Sequence, residues 1–182
     1  MNQKDNRRVQ MTKQLLRNSL LEMLHTQEIH KISIRTLCQH ADVNRSTFYK
    51  YYSSQYDLLK DMEDILLTQI EEQLTCLNKN LNDLTRLVNI LAFLQEHLEL
   101  CRMLINSNVD PEFPKRLLYL PCVQDNIAKK FPIGNKTHAL YFQDFVLYGG
   151  YQMIKRWINC GCKESPEEMT QILDRAFQKF LA

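Results

Sequence analysis

The sequence predicts an all-α chain, an N-terminal three-helix helix-turn-helix domain followed by a larger helical domain. Three observations predict it. Apolar residues recur at helical spacing through most of the 182 residues. Four Gly and five Pro leave little room for the turns that a multi-stranded sheet demands. Residues 33–59, S-I-R-T-L-C-Q-H-A-D-V-N-R-S-T-F-Y-K-Y-Y-S-S-Q-Y-D-L-L, read as a helix, a tight turn, a very short helix and the start of a long one.

The first helix is expected over residues 9–24, with Leu16, Leu20, Met23 and Leu24 as its core-facing stripe and Arg7, Arg8, Lys13 and Arg17 outside it. It props the two helices that follow. Ile34, Leu37 and Ala41 share one helical face, and Val43 and Phe48 supply the next core contacts, so two short helices must cross steeply over a turn of three or four residues. Asp42 falls where that turn needs a left-handed backbone, which Asp tolerates better than most residues. Asn44 can then accept from the free amides that open the next helix. That helix carries Arg45, Ser46, Thr47, Tyr49, Lys50 and Tyr51 within two turns, a density of donors and aromatics unsuited to burial. It is built to meet phosphate.

Ser53 or Ser54 is expected to cap a fourth helix, in which Leu58, Leu59, Met62, Ile65, Leu66, Ile70, Leu74 and Leu77 keep helical spacing. A helix of that length starts in one domain and ends in another, and can act as a lever between them. After a polar break at residues 78–82, a helix with Leu84, Leu87, Val88, Leu91, Leu94 and Leu98 runs into a short one near residues 101–105, followed by a loop at 106–111. Pro121 should kink or divide the next helix, which F-P-I-G-N at residues 131–135 ends. Kinked helices leave gaps, and Phe93, His97, Met103, Phe113, Tyr119, Tyr141, Phe142 and Phe145 are the candidates to line a ligand pocket there.

The last two helices are clearly marked. One is expected over residues 136–160, with Gly149 and Gly150 at its middle, where each glycine costs about 1 kcal/mol in helix stability unless a close neighbour offsets it. Gly161 closes it as a left-handed cap, and S-P-E-E at residues 165–168 opens the final helix with a capping Ser, Pro in the first turn and Glu at the third position. Met169, Ile172, Leu173, Ala176, Phe177, Phe180 and Leu181 form its stripe. Two such helices from each of two copies would make a twofold four-helix contact, with Tyr148, Gly149, Gly150, Met153, Trp157, Ile172, Ala176, Phe177 and Phe180 as its candidate residues.

The overall charge of +2 hides an asymmetry. Residues 1–60 hold ten Lys and Arg against five Asp and Glu, and the remainder thirteen against sixteen, so positive potential gathers on the segment with the exposed short helix. The six cysteines are scattered, and C-G-C at residues 160–162 has no nearby His or further Cys to complete a metal site, which fits reduced, structural thiols. No paired carboxylates, nucleophile-base arrangement, phosphate-cradling glycine loop or clustered metal ligands point to an enzyme, a cofactor or a metal. No apolar run approaches the roughly 20 residues needed to cross a bilayer, and no signal-peptide core follows the polar N-terminus, so the expected location is the cytoplasm.

With Ile32 to Leu37 leading in, Ala41 and Val43 around the turn, Thr47-Phe48-Tyr49 in the short helix, Tyr51-Tyr52 where His-Phe is usual, and Leu58-Leu59 opening the fourth helix, the first 50 or so residues resemble the DNA-binding domain of the TetR (tetracycline repressor) family of transcriptional regulators. The resemblance implies a helix-turn-helix domain over residues 1–56 and a helical ligand-binding and dimerisation domain over residues 57–182. It implies a homodimer that reads a palindromic operator in double-stranded DNA, usually as a repressor that an effector releases. Arg45, Ser46, Thr47 and Lys50 are then expected nearest base edges or adjoining phosphates, with Tyr49, Tyr51 and Gln55 on the backbone and Arg35 and Thr36 on the other strand, and Asn44 belongs to the same DNA-binding set. Gln55 stands where the family usually has Lys, which makes one backbone contact neutral. The C-terminal domain suits a small-molecule effector or, in a co-regulator, a protein partner.

Overall fold

The computed structural model describes residues 3–75, 83–106, 109–130 and 136–181. Among these the elements are α1 (Gln3–Leu24), α2 (Ile34–His40), α3 (Arg45–Phe48), α4 (Gln55–Thr75), α5 (Asp83–Glu96), α6 (Leu98–Ile105), α7 (Phe113–Leu118), α8 (Pro121–Lys130), α9 (Lys136–Asn159) and α10 (Pro166–Leu181), with a 3-10 turn at Ile29–Lys31. The protein is all-α, and it divides into two units, Met1–Leu66 and Leu67–Ala182. The division falls inside α4, which runs unbroken through it.

The N-terminal unit closes around Leu16, Leu20 and Met23 of α1, Ile29 and Ile32, Leu37 and Cys38 of α2, Ala41, Phe48 of α3, Tyr52, and Leu58, Leu59, Met62 and Leu66 of α4, all buried. α1 begins well before residue 9, because the polar K-D-N-R-R run carries no apolar period yet is rich in helix-tolerant residues. The Ser33 hydroxyl caps α2 by accepting from the Thr36 amide at 3.1 Å. At the other end Asp42 takes φ +51°, the Val43 amide reaches back to the Cys38 carbonyl at 2.9 Å and the Asp42 amide to Gln39 at 3.3 Å. That pair of bonds is a Schellman cap, so the turn is the left-handed one that Asp was expected to allow. Asn44 Oδ1 then accepts from the Ser46 amide at 3.0 Å and starts α3.

α4 opens on a modified capping box. Ser54 Oγ accepts from the Asp57 amide at 3.2 Å, while the Asp57 carboxylate takes the amide of Ser53 at 2.9 Å, one residue earlier than the usual partner. The expected Leu77 and the polar break at 78–82 lie outside the described residues.

In the C-terminal unit the core joins Leu91 and Leu94 of α5, Cys101, Leu104 and Ile105 of α6, Phe113 and Leu118 of α7, Val146, Leu147, Trp157 and Ile158 of α9, and Met169 and Leu173 of α10. α10 lies chiefly along α5 and also touches α9, which in turn packs on α6, α7 and α8. Pro121 divides the predicted helix instead of kinking it: it takes the first position of α8, where a missing amide costs nothing. The terminator at residues 131–135 lies outside the described residues. α9 ends in a second Schellman cap, with Gly161 at φ +82° and the Cys162 amide on the Trp157 carbonyl at 2.9 Å. Ser165 and Glu168 exchange the two bonds of a capping box at 3.2 and 2.9 Å, with Pro166 in the first turn of α10. Among the described residues no helix is long and apolar enough to cross a membrane.

Candidate nucleic-acid interface

α3 is four residues long, too short to be stable alone, so its pose comes from what it is pinned to. The pin is Phe48, fully buried, with the Tyr52 ring at 5.7 Å and the Tyr49 ring edge-on at 5.6 Å. With Phe48 inward, Arg45, Ser46, Tyr49 and Lys50 are left exposed, and Thr47 and Tyr51 are half-buried at the margins. Arg35 and Thr36, on the first turn of α2, are exposed as well, and Gln55 is half-buried at the start of α4.

Several of these groups are already oriented. Asn44 uses its Oδ1 twice, for the Ser46 amide and the Ser46 hydroxyl, both at 3.0 Å, so Asn44 acts as the cap and fixes Ser46. Thr36 Oγ1 lies 2.7 Å from the capping Ser33 hydroxyl. Burial pushes the Cys38 thiol up, and the Arg45 guanidinium pulls it the other way. Tyr49, half exposed at 51%, offers a phenol and an apolar ring together. Arg7 and Arg8 are exposed on the first turns of α1. The result is a cationic, aromatic surface with backbone-fixed donors, suited to phosphate oxygens and base edges.

Behind that surface lies a set of bonds spread over distant positions of the sequence. Tyr52 Oη donates to Asp61 Oδ2 at 2.8 Å, and Arg17 donates Nε and a terminal nitrogen to the same oxygen, each at 2.8 Å. Lys13 Nζ is 3.9 Å from Oδ1 and stands 5.3 Å from the Tyr52 ring centre and 5.9 Å from that of Tyr51. Burial, and then the neighbouring Asp61 carboxylate, push the Tyr52 phenol well above its ordinary range, against a smaller opposing effect of Arg17. The hydroxyl therefore stays a donor. Asp61 carries no sequence signal of its own, since Arg17 is 44 positions away.

Burial separates the eight candidate pocket residues. Phe113 is fully buried with the Arg116 guanidinium 5.8 Å from its ring centre, whereas Tyr119, Tyr141 and Phe145 are 50% exposed or more. The Phe93 ring lies 4.6 Å from that of the exposed His97, tilted at 60°, and Met103 and Phe142 are half-buried. A surface groove of about 600 Å³ on the last turns of α9 is lined by Gln152, Met153, Lys155, Arg156, Asn159 and Cys160, outside that set.

The contact-face candidates divide. Tyr148 and Ile172 are exposed, Gly149 faces open space, and Met153, Ala176 and Phe177 are half-buried. Gly150 is filled from within the chain, where a Phe177 ring carbon lies 3.1 Å from the position of a Cβ. Trp157 does not belong to an outer face: it is 3% exposed, and its indole N–H donates to the Glu164 carbonyl at 3.0 Å, because so large an apolar ring is drawn into the core at the α9–α10 link. The Phe180 side chain lies outside those described. Among the described residues no three His, Cys, Asp or Glu side chains cluster as metal ligands, and burial holds the Cys101 thiol up at about 12.

A family model described as "Transcriptional regulator C-terminal region", of the TetR type, matches residues 82–179. No curated protein matches the chain. Among solved structures, a TetR transcriptional regulator from Streptococcus agalactiae 2603V is similar over 93% of this chain and 94% of its own, at 21% identity and a TM-score of 0.69. The dihydroxyacetone kinase operon activator DhaS is similar over 92% and 94%, at 17% identity and a TM-score of 0.61. The family model covers more than half of the sequence, and the chain belongs to the TetR family of transcriptional regulators.

Proposed function

We propose that this regulator binds DNA in a sequence-specific manner, as a homodimer on a palindromic operator, and that it represses until an effector releases it. The observation that carries the reading is the exposure of Arg45, Ser46, Tyr49 and Lys50 around a fully buried Phe48. A surface helix with such side chains has no structural use for them. One short helix spans only a few base pairs, so selectivity requires two half-sites roughly 34 Å apart, presented by a twofold pair. The domains proposed are residues 1–56 for reading and residues 57–182 for dimerisation and effector response, with the continuous α4 as the lever between them.

Repression is the direction that the family resemblance favours; the operon activator DhaS, similar in structure, stands for the other outcome. The exposed Tyr119, Tyr141 and Phe145 favour a second reading of the C-terminal domain, in which a protein partner replaces the small-molecule effector. Selection of the full chain against a randomised duplex library, followed by anisotropy titration of the enriched sequence, tests the DNA-binding proposal. An enriched palindrome bound by two copies supports it; recovery of no preferred sequence would overturn it. A reporter placed behind the enriched sequence reads the direction of control. Thermal-shift screening against co-purification separates effector from partner.

A further inference from the structure

We propose that Asp61 is the positioning residue through which α4 sets the pose of the reading helix α3, an inference that rests on the DNA-binding reading above. Its carboxylate joins three elements: Arg17 and Lys13 from α1, Tyr52 from the turn after α3, and its own helix α4. Three donors converge on the single oxygen Oδ2, each at 2.8 Å. From Tyr52 the connection to α3 is direct. Its amide bonds the Phe48 carbonyl at 3.0 Å and its ring packs 5.7 Å from that of Phe48, the anchor that turns Arg45, Ser46, Tyr49 and Lys50 outward.

The chemistry of the joint suits transmission. Apolar contacts slide with little change in energy, but a hydrogen bond weakens steeply beyond about 3.2 Å, so a shift of about 1 Å at Asp61 breaks the set instead of stretching it. Asp61 lies in the second turn of a helix that continues without interruption to Thr75, past the division at Leu66. An axial shift or rotation of α4 is therefore delivered at this carboxylate. Release of the Asp61 set by such a movement is the switching step proposed.

The test uses the full chain, with Tyr52→Phe, Asp61→Asn and the double variant. Hydrogen exchange is read at the amides of Phe48, Tyr49 and Tyr52, with Leu16 and Leu20 of α1 as internal reference. Binding is read on the enriched operator and on an unrelated duplex of equal length. The expected result is exchange about tenfold faster at the amides of Phe48, Tyr49 and Tyr52, which close α3 and the turn after it, with the reference amides unchanged, and operator affinity about tenfold weaker. Non-specific affinity and the salt slope stay as in the parent, because no phosphate contact has been removed. The double variant should be close to Asp61→Asn alone and weaker than Tyr52→Phe alone, since both changes act on the Tyr52–Asp61 bond and Asp61→Asn loosens Arg17 and Lys13 besides. Unmoved exchange and affinity would overturn the proposal, as would a loss shared equally by the α1 amides and the unrelated duplex. If the parent protein prefers no duplex, the DNA-binding reading fails by itself, and the exchange measurement still decides whether Asp61 holds α3.

Discussion

The Tyr52 hydroxyl donates to Asp61 Oδ2 over 2.8 Å while its ring stays 96% out of solvent, so one side chain serves both the core and a charged pair. Burial, reinforced by the carboxylate, holds the phenol above its ordinary value of about 10. Above that pH the unfolded chain releases the Tyr52 proton and the folded chain keeps it, so the unfolded state binds fewer protons and stability falls as pH rises. The contribution is fully present below about pH 10. Urea unfolding of the parent and Tyr52→Phe between about pH 8 and 11 should show a shallower alkaline decline for the variant. Parallel declines would mean that the pair does not act on folding.

Asp42 provides a second test, on the backbone. Its φ of +51° lies in the region that costs most L-residues about 1–2 kcal/mol and glycine almost nothing. Asp42→Gly should therefore be neutral or stabilising by up to about 1 kcal/mol, while the β-branched Asp42→Val should destabilise by more than 1 kcal/mol. Thermal unfolding of the two variants checks the order; stabilisation by Val would contradict the geometry.

This turn also shows what was legible in the sequence and why. Asp42, Asn44, Gly161 and Ser165 were readable because each acts on backbone groups within a few residues, where spacing alone specifies the partner. Phe48 was readable from its period. Asp61 was not, because its meaning comes from Arg17 and Tyr52, which reach it only after folding. The burial of the pocket candidates was hidden for a related reason. An aromatic at helical spacing looks the same whether it ends buried, as Phe113 does, or 73% exposed, as Tyr141 does. Trp157, a candidate for the twofold contact, is held inside by its bond to the Glu164 carbonyl on the link to α10, a partner that spacing along α9 does not reveal.

The exposed residues of α3 should separate by role. Lys50→Ala and Tyr49→Phe are expected to weaken binding to all duplexes alike, and Lys50→Ala should lower the magnitude of the slope of log K against log salt by about one. Arg45→Ala should instead flatten sequence preference, with a loss of about 1–3 kcal/mol on the operator and little on unrelated DNA. Anisotropy titrations at two salt concentrations decide this. Unchanged binding by all three variants would remove α3 from the interface.

Gly149 and Gly150 are neighbours in α9 with opposite surroundings. A Cβ on Gly149 would meet nothing within 4 Å, whereas one on Gly150 would lie 3.1 Å from the Phe177 ring. In an isolated chain Gly149→Ala should gain about 1 kcal/mol from helix propensity, and Gly150→Ala should gain less, because the ring of Phe177 has to give way. A larger side chain sharpens the contrast. Gly150→Leu must displace Phe177 and should cost several kcal/mol, roughly the scale of core overpacking. At Gly149 the first side-chain carbon of a leucine meets nothing within 4 Å, so Gly149→Leu is expected to fold. If α9 with the exposed Tyr148 forms the proposed twofold contact, that leucine fills the opening where a second helix must approach, and the dimer should dissociate. Light scattering after size exclusion, read beside the melting temperature, resolves the case. A folded Gly149→Leu variant that remains as dimeric as the parent would place the contact elsewhere on the molecule.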